Sequence, residues 1–344
     1  MNRIFTTLLL WALFSPLSFA QSVETTRNSN ITLTAPKQTD ESFSFVVFAD
    51  RTSEKAIGHE SGITILQDAI RDTNRLQPAF VMNVGDMIQG YCGTESWLEQ
   101  MKEYKEIMSQ LKMPWFPTLG NHDIYGEREA GTSLQKGPND RRYEEHFGPF
   151  WYAFEYKSNW FIVLFTDEGN PETGERATGK PECQTMSDEQ FNWLKSVLNK
   201  AKNADGIYVF QHHPRWLGGN YGDDWDKVHN VLVAAGNVKI VFGGHIHRMT
   251  HNKKDGIRYI TIATTGGSLT ENATLEEGAL QHLTFITVQK RLEPAIAILP
   301  VASTLDITTM PSRRASASAP ATQTRSSAEL TTPQVPVITP QTVP

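Results

Sequence analysis

Five polar clusters, each placed directly behind a short apolar run, constrain this chain more than any other feature. Phe43 to Ala49 ends at Asp50, and Ala79 to Val84 ends at Gly85-Asp86. Trp115 to Leu119 leads into Gly120-Asn121-His122-Asp123, Ile207 to Phe210 into His212-His213-Pro214, and Val238 to Phe242 into Gly243-Gly244-His245-Ile246-His247. Apolar runs of this length, bounded by Gly and polar residues, read as buried strands. Strands whose ends open on one side bring together residues that are distant in sequence. Asp, Asn and His delivered in this way are the donors that a pocket for two divalent ions needs.

Helices are predicted between the strands. Ile63, Leu66 and Ile70 share one face of a helix that runs to about Leu76. Trp97, Met101, Tyr104 and Met108 do the same within Glu95 to Leu111. Ser187, followed three residues later by Gln190, reads as a capping box opening a helix whose Phe191, Leu194 and Leu198 lie on one side. A further helix is expected around Asp224 to Ala235. Tyr152 to Tyr156 and Trp160 to Phe165 read as strands joined by Lys157-Ser158-Asn159. Arg258 to Ala263, His282 to Val288 and Ala295 to Leu299 complete the sheet system, while 126–141 and 169–182 read as irregular loops. Strand and helix in alternation predict an α/β fold.

Of the 344 residues, 39% are hydrophobic and 20% charged, which suits one large folded domain, expected over residues 42–302. Residues 1–20 read as a cleaved secretory signal: Arg3 supplies the charge, Ile4 to Phe14 the apolar stretch, and Ser18-Phe19-Ala20 the small-x-small cleavage pattern. The apolar run is short for a bilayer span, so no transmembrane segment is expected in the mature chain. The protein is therefore expected to be periplasmic or secreted. Residues 21–41 are polar and lack periodicity, as a linker would be, and the Ser-, Thr-, Pro- and Ala-rich stretch 303–344 reads as a disordered tail. In an oxidising compartment Cys92 and Cys183, the two cysteines of the chain, are expected to pair, with two free thiols as the alternative. A net charge of −6 without any basic run argues against nucleic acid as partner.

Taken singly, Asp50 and Asp86 could be strand-end caps and Asn121-His122-Asp123 a polar turn. In order and spacing, Phe48-Ala49-Asp50, Gly85-Asp86, Gly120-Asn121-His122-Asp123, His212-His213-Pro214 and Gly244-His245-Ile246-His247 together resemble the calcineurin-like metallophosphoesterase superfamily, from Phe45 to about Gly267. Phe147-Gly148-Pro149 and Thr166-Asp167 are also in keeping with many of its members. The chain thus looks like an exported bacterial member.

The resemblance implies two facing mixed β-sheets flanked by helices, and hydrolysis of a phosphate ester, mono- or diester, by a metal-bound hydroxide at a dinuclear centre of Mn, Fe or Zn. Small-molecule, lipid and polymer phosphate esters are all possible substrates. By this resemblance Asp50 and His247 would hold the first ion, Asp86 would bridge, and Asn121, His212 and His245 would hold the second. His122 would serve the leaving oxygen, with Asp123 orienting its imidazole. His213 is left open between a packing role and one facing the pocket. Arg51, Arg215 and Arg248 each follow a ligand segment closely and are candidate phosphate contacts. Trp216 and Tyr221 lie in a Gly-rich loop and are candidate substrate contacts.

One position departs from the family. Its first motif is usually Asp-x-His, whereas this chain has Asp50-Arg51-Thr52. Loss of that imidazole predicts a weaker, more oxygen-rich first site, and softer ions such as zinc lose more by it than manganese or magnesium. It also leaves one alternative function: a protein of the same fold that binds a phosphate ligand without turning it over.

Overall fold

The computed structural model describes residues 23–33, 42–52, 62–128, 135–136, 139–222, 224–269, 274–290 and 292–301. The expected signal and tail lie outside them. In chain order the elements are β1 (Phe43–Phe48), α1 (Gly62–Leu76), β2 (Phe80–Asn83), α2 (Thr94–Met108), β3 (Trp115–Phe116), α3 (Asn121–Ile124), β4 (Glu127–Arg128), β5 (Gln135–Lys136) and α4 (Asp140–His146). They continue with β6 (Tyr152–Tyr156), β7 (Asn159–Val163), α5 (Asp188–Lys200), β8 (Gly206–Phe210), α6 (Trp225–Ala235), β9 (Val238–Gly243), β10 (Thr250–Lys254), β11 (Ile257–Thr261), β12 (His282–Val288) and β13 (Ala295–Pro300).

One sheet has the order β13-β12-β1-β2-β3 and the other β10-β11-β9-β8-β7-β6. In the first, β1, β2 and β3 run parallel and β12 pairs antiparallel with β1. In the second, β7, β8, β9 and β11 are parallel, with β6 and β10 antiparallel at the two edges. Sheets of this kind are covered on both faces, which is why their strands are nearly continuous apolar runs. Phe43, Phe45 and Val47 of β1 turn inward with Phe80, Phe161, Phe210, Ile240 and Phe242 to fill the space between the sheets. Val46 and Phe48 turn outward into the apolar layer that holds Ile65, Leu66, Ala69 and Ile70 of α1 and Trp97 and Tyr104 of α2. Ile162 and Val209 belong to the layer of Leu194 and Val197 of α5 and Val228 and Leu232 of α6. The result is the expected architecture: two mixed sheets between helices.

The intersheet layer is aromatic. The Phe161 ring lies 4.9 Å from Phe80 and 5.3 Å from Phe45, nearly perpendicular to both, and is stacked on Phe154 at 5.1 Å. Edge-to-face and offset geometries of this kind add to the burial itself.

Several expectations are corrected. Residues 23–33, read as part of a linker, dock on the domain. Glu24 exchanges backbone hydrogen bonds with Ala153 on the free edge of β6, and Arg27 makes a two-pronged ion pair with Glu144 at 2.7 and 3.0 Å. Val23 and Leu33 add apolar contact, which a polar reading of the segment overlooks. The loop 126–141 contains the small β4–β5 pair and the start of α4. Ser187 caps α5 through Gln190 N at 3.2 Å, but Gln190 does not return the bond. Its amide holds the backbone of Phe165, and Glu168 accepts from Ser187 N instead. Cys92 and Cys183 are both free thiols rather than a disulfide. Among the described residues no helix is long and apolar enough to cross a membrane.

Phe161→Ala is expected to cost about 3–5 kcal/mol in denaturant unfolding, as large aromatic deletions in packed cores do. A loss below about 1 kcal/mol would mean that the intersheet layer can collapse around the gap.

Candidate metal centre

Each parallel strand delivers its polar cluster at its C-terminal end, and the ends of both sheets meet on one side of the sandwich, the place where such sheets hold ligands. Asp50 lies just beyond β1 and is fully buried. Its carbonyl accepts from Thr264 Oγ1 (2.7 Å), Gly267 N (2.9 Å) and Thr265 N (3.1 Å), so the loop after β11 clamps the backbone. Its carboxylate accepts from His245 N at 3.0 Å, and Oδ1 lies 3.2 Å from His247 Nε2. A Cβ on Gly244 would come within 2.5 Å of Asp50 Oδ2, so this approach requires glycine.

Asp86 follows β2 with φ of 55°. His122 N donates to its Oδ1 at 2.9 Å, and Oδ2 lies 3.2 Å from His212 Nε2. A Cβ on Gly120 would be 2.2 Å from that Oδ1. His245 and His247 also have positive φ, 71° and 48°. Left-handed backbone at three non-glycine residues of one site is the strain expected where surrounding contacts over-determine a functional geometry.

Tautomers reveal what the pocket is built for. Val84 O lies 2.8 Å from His212 Nδ1 and accepts its N–H, leaving the Nε2 lone pair to face Asp86 Oδ2, Asn121 Oδ1 at 3.1 Å and His245 Nδ1 at 3.3 Å. Ser268 O holds His247 Nδ1, so its Nε2 lone pair faces Asp50 Oδ1 and, at 3.5 Å, Thr52 Oγ1. Acceptors aimed at acceptors need a cation between them. The donors fit divalent ions: Asp50, Asp86 and His212 offer ligand atoms within 4.8 Å of one another, and so do His212, His213 and His245.

Without an ion, protons take that place. Burial alone would lower His212, but the Asp86 carboxylate outweighs it and raises the ring to about 10. Burial of His247 is likewise outweighed by Asp50, and its ring is raised to about 9. Burial and the neighbouring His212 push His245 down to about 3. Asp86 is held far below the usual carboxylate range because His212 and His122 outweigh its burial.

The structure corrects the role of Asp123. Its carboxylate accepts from Gly120 N (2.8 Å), Asp86 N (2.9 Å), Met87 N (2.8 Å) and Ile88 N (3.3 Å), and clamps the Asp86 turn to the α3 turn. Burial and the Asp86 charge push it up to about 8 against those donors. His122 is oriented by Gln89, whose carbonyl lies 2.5 Å from Nδ1, and it rests edge-on against Tyr91 at 4.6 Å. Its Nε2 lies 3.9 Å from Asp86 Oδ2.

The arginines do not form a phosphate cluster. Arg51 is buried and paired with Glu103 of α2 at 2.5 Å. Arg215, fully buried, braces its own loop through Asp224 and the Tyr221 carbonyl, so its expected phosphate contact is corrected. Arg248 is exposed, and its carbonyl accepts from Thr261 Oγ1. His213 lies inside the cluster, its ring 4.2 Å from His245. Tyr221 stands edge-on to His245 at 5.7 Å. Trp216 instead packs against Tyr259 at 5.1 Å and lines a cavity of about 330 Å³ that contains none of the ligand candidates.

Sequence reasoning missed Tyr91 and Gln89. Tyr91 OH accepts from Asn121 Nδ2 at 2.9 Å, which turns Asn121 Oδ1 toward the histidines. The local signal was Gly90, where a Cβ would be 1.7 Å from His122 O, so the segment before Tyr91 had to pass hard against the His122 turn.

The calcineurin-like phosphoesterase family model matches residues 45–249, more than half of the chain and the whole span from β1 to His247. The chain belongs to this family. It is a metallophosphoesterase, a hydrolase of phosphate esters. It is 24% identical over 226 residues to the human serine/threonine-protein phosphatase CPPED1, covering 61% of this chain and 67% of that one. To a manganese-dependent ADP-ribose/CDP-alcohol diphosphatase of Arabidopsis thaliana it is 23% identical over 223 residues, 55% of this chain and 72% of the relative. A dimetal phosphatase from Danio rerio shares its fold, with a TM-score of 0.51 at 16% identity over 76% of this chain and all of that one.

Two outcomes are expected. Because folding raises His212 and His247, their contribution to the stability of the ion-free protein is complete below their unfolded value of about 6.5 and is lost as pH rises through about 9 to 10. Metal loading must displace those protons, so titration near neutral pH should release protons and affinity should rise with pH. Calorimetry in buffers of different ionisation enthalpy reads this directly, and the absence of proton release would contradict the tautomer assignment. Asp123→Asn, which replaces one of the two oxygens that accept the four backbone bonds with an amide donor, should cost about 2–3 kcal/mol of stability. If Asp123 oriented His122 instead, activity would fall at unchanged stability.

Proposed function

We propose that the chain hydrolyses a phosphate ester at a centre of two divalent ions that share Asp86. The observation that carries this reading is the pair of imidazole lone pairs aimed at carboxylates: His247 on Asp50, and His212 on Asp86. Asp50, His247 and Thr52 would hold one ion, and Asn121, His212 and His245 the other. Such ions polarise phosphoryl oxygens and acidify a water for attack.

The remaining work belongs to the chain. Asp86, fixed by the His122 amide and the Asp123 clamp, keeps both ligand groups in register. Tyr91 holds the Asn121 amide in the orientation that presents oxygen. His122 presents a partly exposed Nε2, 3.9 Å from Asp86 Oδ2, while its Nδ1 is engaged by Gln89 O. The His122 Nε2 would face the leaving oxygen of a bound ester and serve it in proton transfer, with Gln89 O fixing the ring through Nδ1. Tyr91 and Tyr221 border the cluster and limit access of bulk water.

Thr52 leaves the first site with one imidazole beside carboxylate and hydroxyl oxygens, a set that suits manganese better than zinc. The manganese dependence in the name of the Arabidopsis relative supports the same choice. The secretory pattern of residues 1–20 supports export, which N-terminal sequencing of the mature protein tests.

Hydrolysis of a chromogenic phosphate monoester and its diester counterpart, with added manganese, iron or zinc, tests the reading. Asp86→Asn should abolish turnover with every metal, and full activity in that variant would sink the proposal. His122→Ala should lower kcat about 10²–10⁴-fold at unchanged metal content. Thr52→His should raise zinc retention at the first site on dialysis; equal retention would show that Thr52 is no deficit.

A further inference from the structure

His213 is not a position at which the family resemblance places a ligand, yet it has the surroundings of one. The residue is 1% exposed, and its Nε2 lies 3.1 Å from Asn121 Oδ1, the same oxygen that His212 Nε2 approaches at 3.1 Å. Tyr91 fixes the Asn121 amide, so that oxygen is turned toward both rings. His212, His213 and His245 offer nitrogens within 4.8 Å of one another.

A buried histidine that only packs satisfies both nitrogens, as His229 does with Tyr259 and Asp255. His213 does not: its Nδ1 is buried without a hydrogen-bond partner. The nearest carboxylate oxygen to that nitrogen in an ion pair is Asp167 Oδ2, at 3.7 Å. Asp167 is itself buried and held by Tyr125 OH and by Gln184 Nε2 at 3.1 Å. A carboxylate near one ring nitrogen, here at 3.7 Å, and the cluster at the other is the arrangement that orients a metal-bound histidine. Ligands about 2.0–2.2 Å from one ion lie about 3–3.5 Å from each other. The separations of 3.1, 3.1 and 3.3 Å among His213, Asn121, His212 and His245 fall in that range.

We propose that His213 is a further ligand of the second ion, with Asp167 as its positioning residue. The inference rests on the two-ion reading above. It makes the centre unequal: the second site has three imidazoles, while Thr52 leaves the first with His247 alone. Relative to the family pattern, one imidazole is lost on one side and one is gained on the other. The second site should fill first and favour zinc or iron, and the first should load at higher concentration and favour manganese.

Zinc titration of the whole protein against a chromophoric chelator, with the visible spectrum of the cobalt-substituted form, reads both sites without turnover. His213→Ala should weaken the tighter site at least about tenfold and shift its cobalt bands, leaving the weaker site unchanged. Asp167→Asn should weaken the same site about tenfold, the scale of losing an outer partner. His213→Gln keeps an oxygen donor of similar reach, guards against a folding defect in the alanine variant, and should retain binding with an altered spectrum. Thermal melts of the metal-free forms check folding. Wild-type protein that binds no zinc overturns the two-ion reading itself. Two wild-type sites whose affinities and cobalt bands stay the same in the His213 variants overturn only this inference. A raised KM with unchanged metal binding would then assign His213 to the substrate.

Discussion

The site depends on holding two buried carboxylates, Asp50 and Asp86, side by side at the ends of adjacent strands. Like charges removed from water repel, and burial makes each expensive. The fold offsets this locally. Backbone amides of His245 and His122 donate to them, and the His247 and His212 rings face them. Those rings cannot be both neutral and well placed, because their remaining lone pairs point at the carboxylate oxygens. The pocket is therefore complete only with positive charge in it, protons at one extreme and divalent ions at the other. Geometry and electrostatics here express one requirement.

That requirement explains the backbone around it. Gly85, Gly120 and Gly244 leave no room for a Cβ, since each would collide with His212, Asp86 or Asp50. Asp86, His245 and His247 accept left-handed φ values that only a rigid surround can impose. Much of that rigidity comes from the aromatic layer between the sheets, which fixes the spacing of β1 and β2 against β8 and β9. Asp123 supplies more, by tying the turn that bears Asp86 to the turn that bears Asn121.

Most of this was legible in the sequence for a physical reason. Strands buried on both faces announce themselves as apolar runs, and ligands at strand ends are punctuated by glycine. β1, β2, β8, β9 and β12 and the helices α1, α2, α5 and α6 were therefore readable, and so was the grouping of Asp50, Asp86, Asn121, His212, His245 and His247. What stayed hidden were relations between side chains with no periodic signature. Asp123 beside His122 invited a pairing that four backbone amides pre-empt. Arg215 after a ligand segment looked like a phosphate contact, but its loop folds back and consumes the guanidinium. Tyr91 and Gln89 have no motif, Asp167 had one without a role, and what they do exists only once distant segments meet. The stretch 23–33 was too polar to read as packed, because its attachment is an ion pair, a backbone bridge and two non-periodic apolar contacts, Val23 and Leu33, rather than an apolar face.

That attachment has a consequence for how the molecule avoids its own kind. β6 ends one sheet, and an unpaired edge strand with an apolar neighbour is a template for self-association. The bridge from Glu24 to Ala153 occupies part of that edge, and Arg27 locks the covering segment to Glu144. At the opposite edge no described segment covers β10, but it exposes Lys253 and Lys254, whose charge discourages a second strand from docking. One border is guarded by the chain's own N-terminal segment and the other by electrostatic repulsion. Loss of the short N-terminal strap would thus leave the ligand cluster intact while baring the β6 backbone to any strand that meets it.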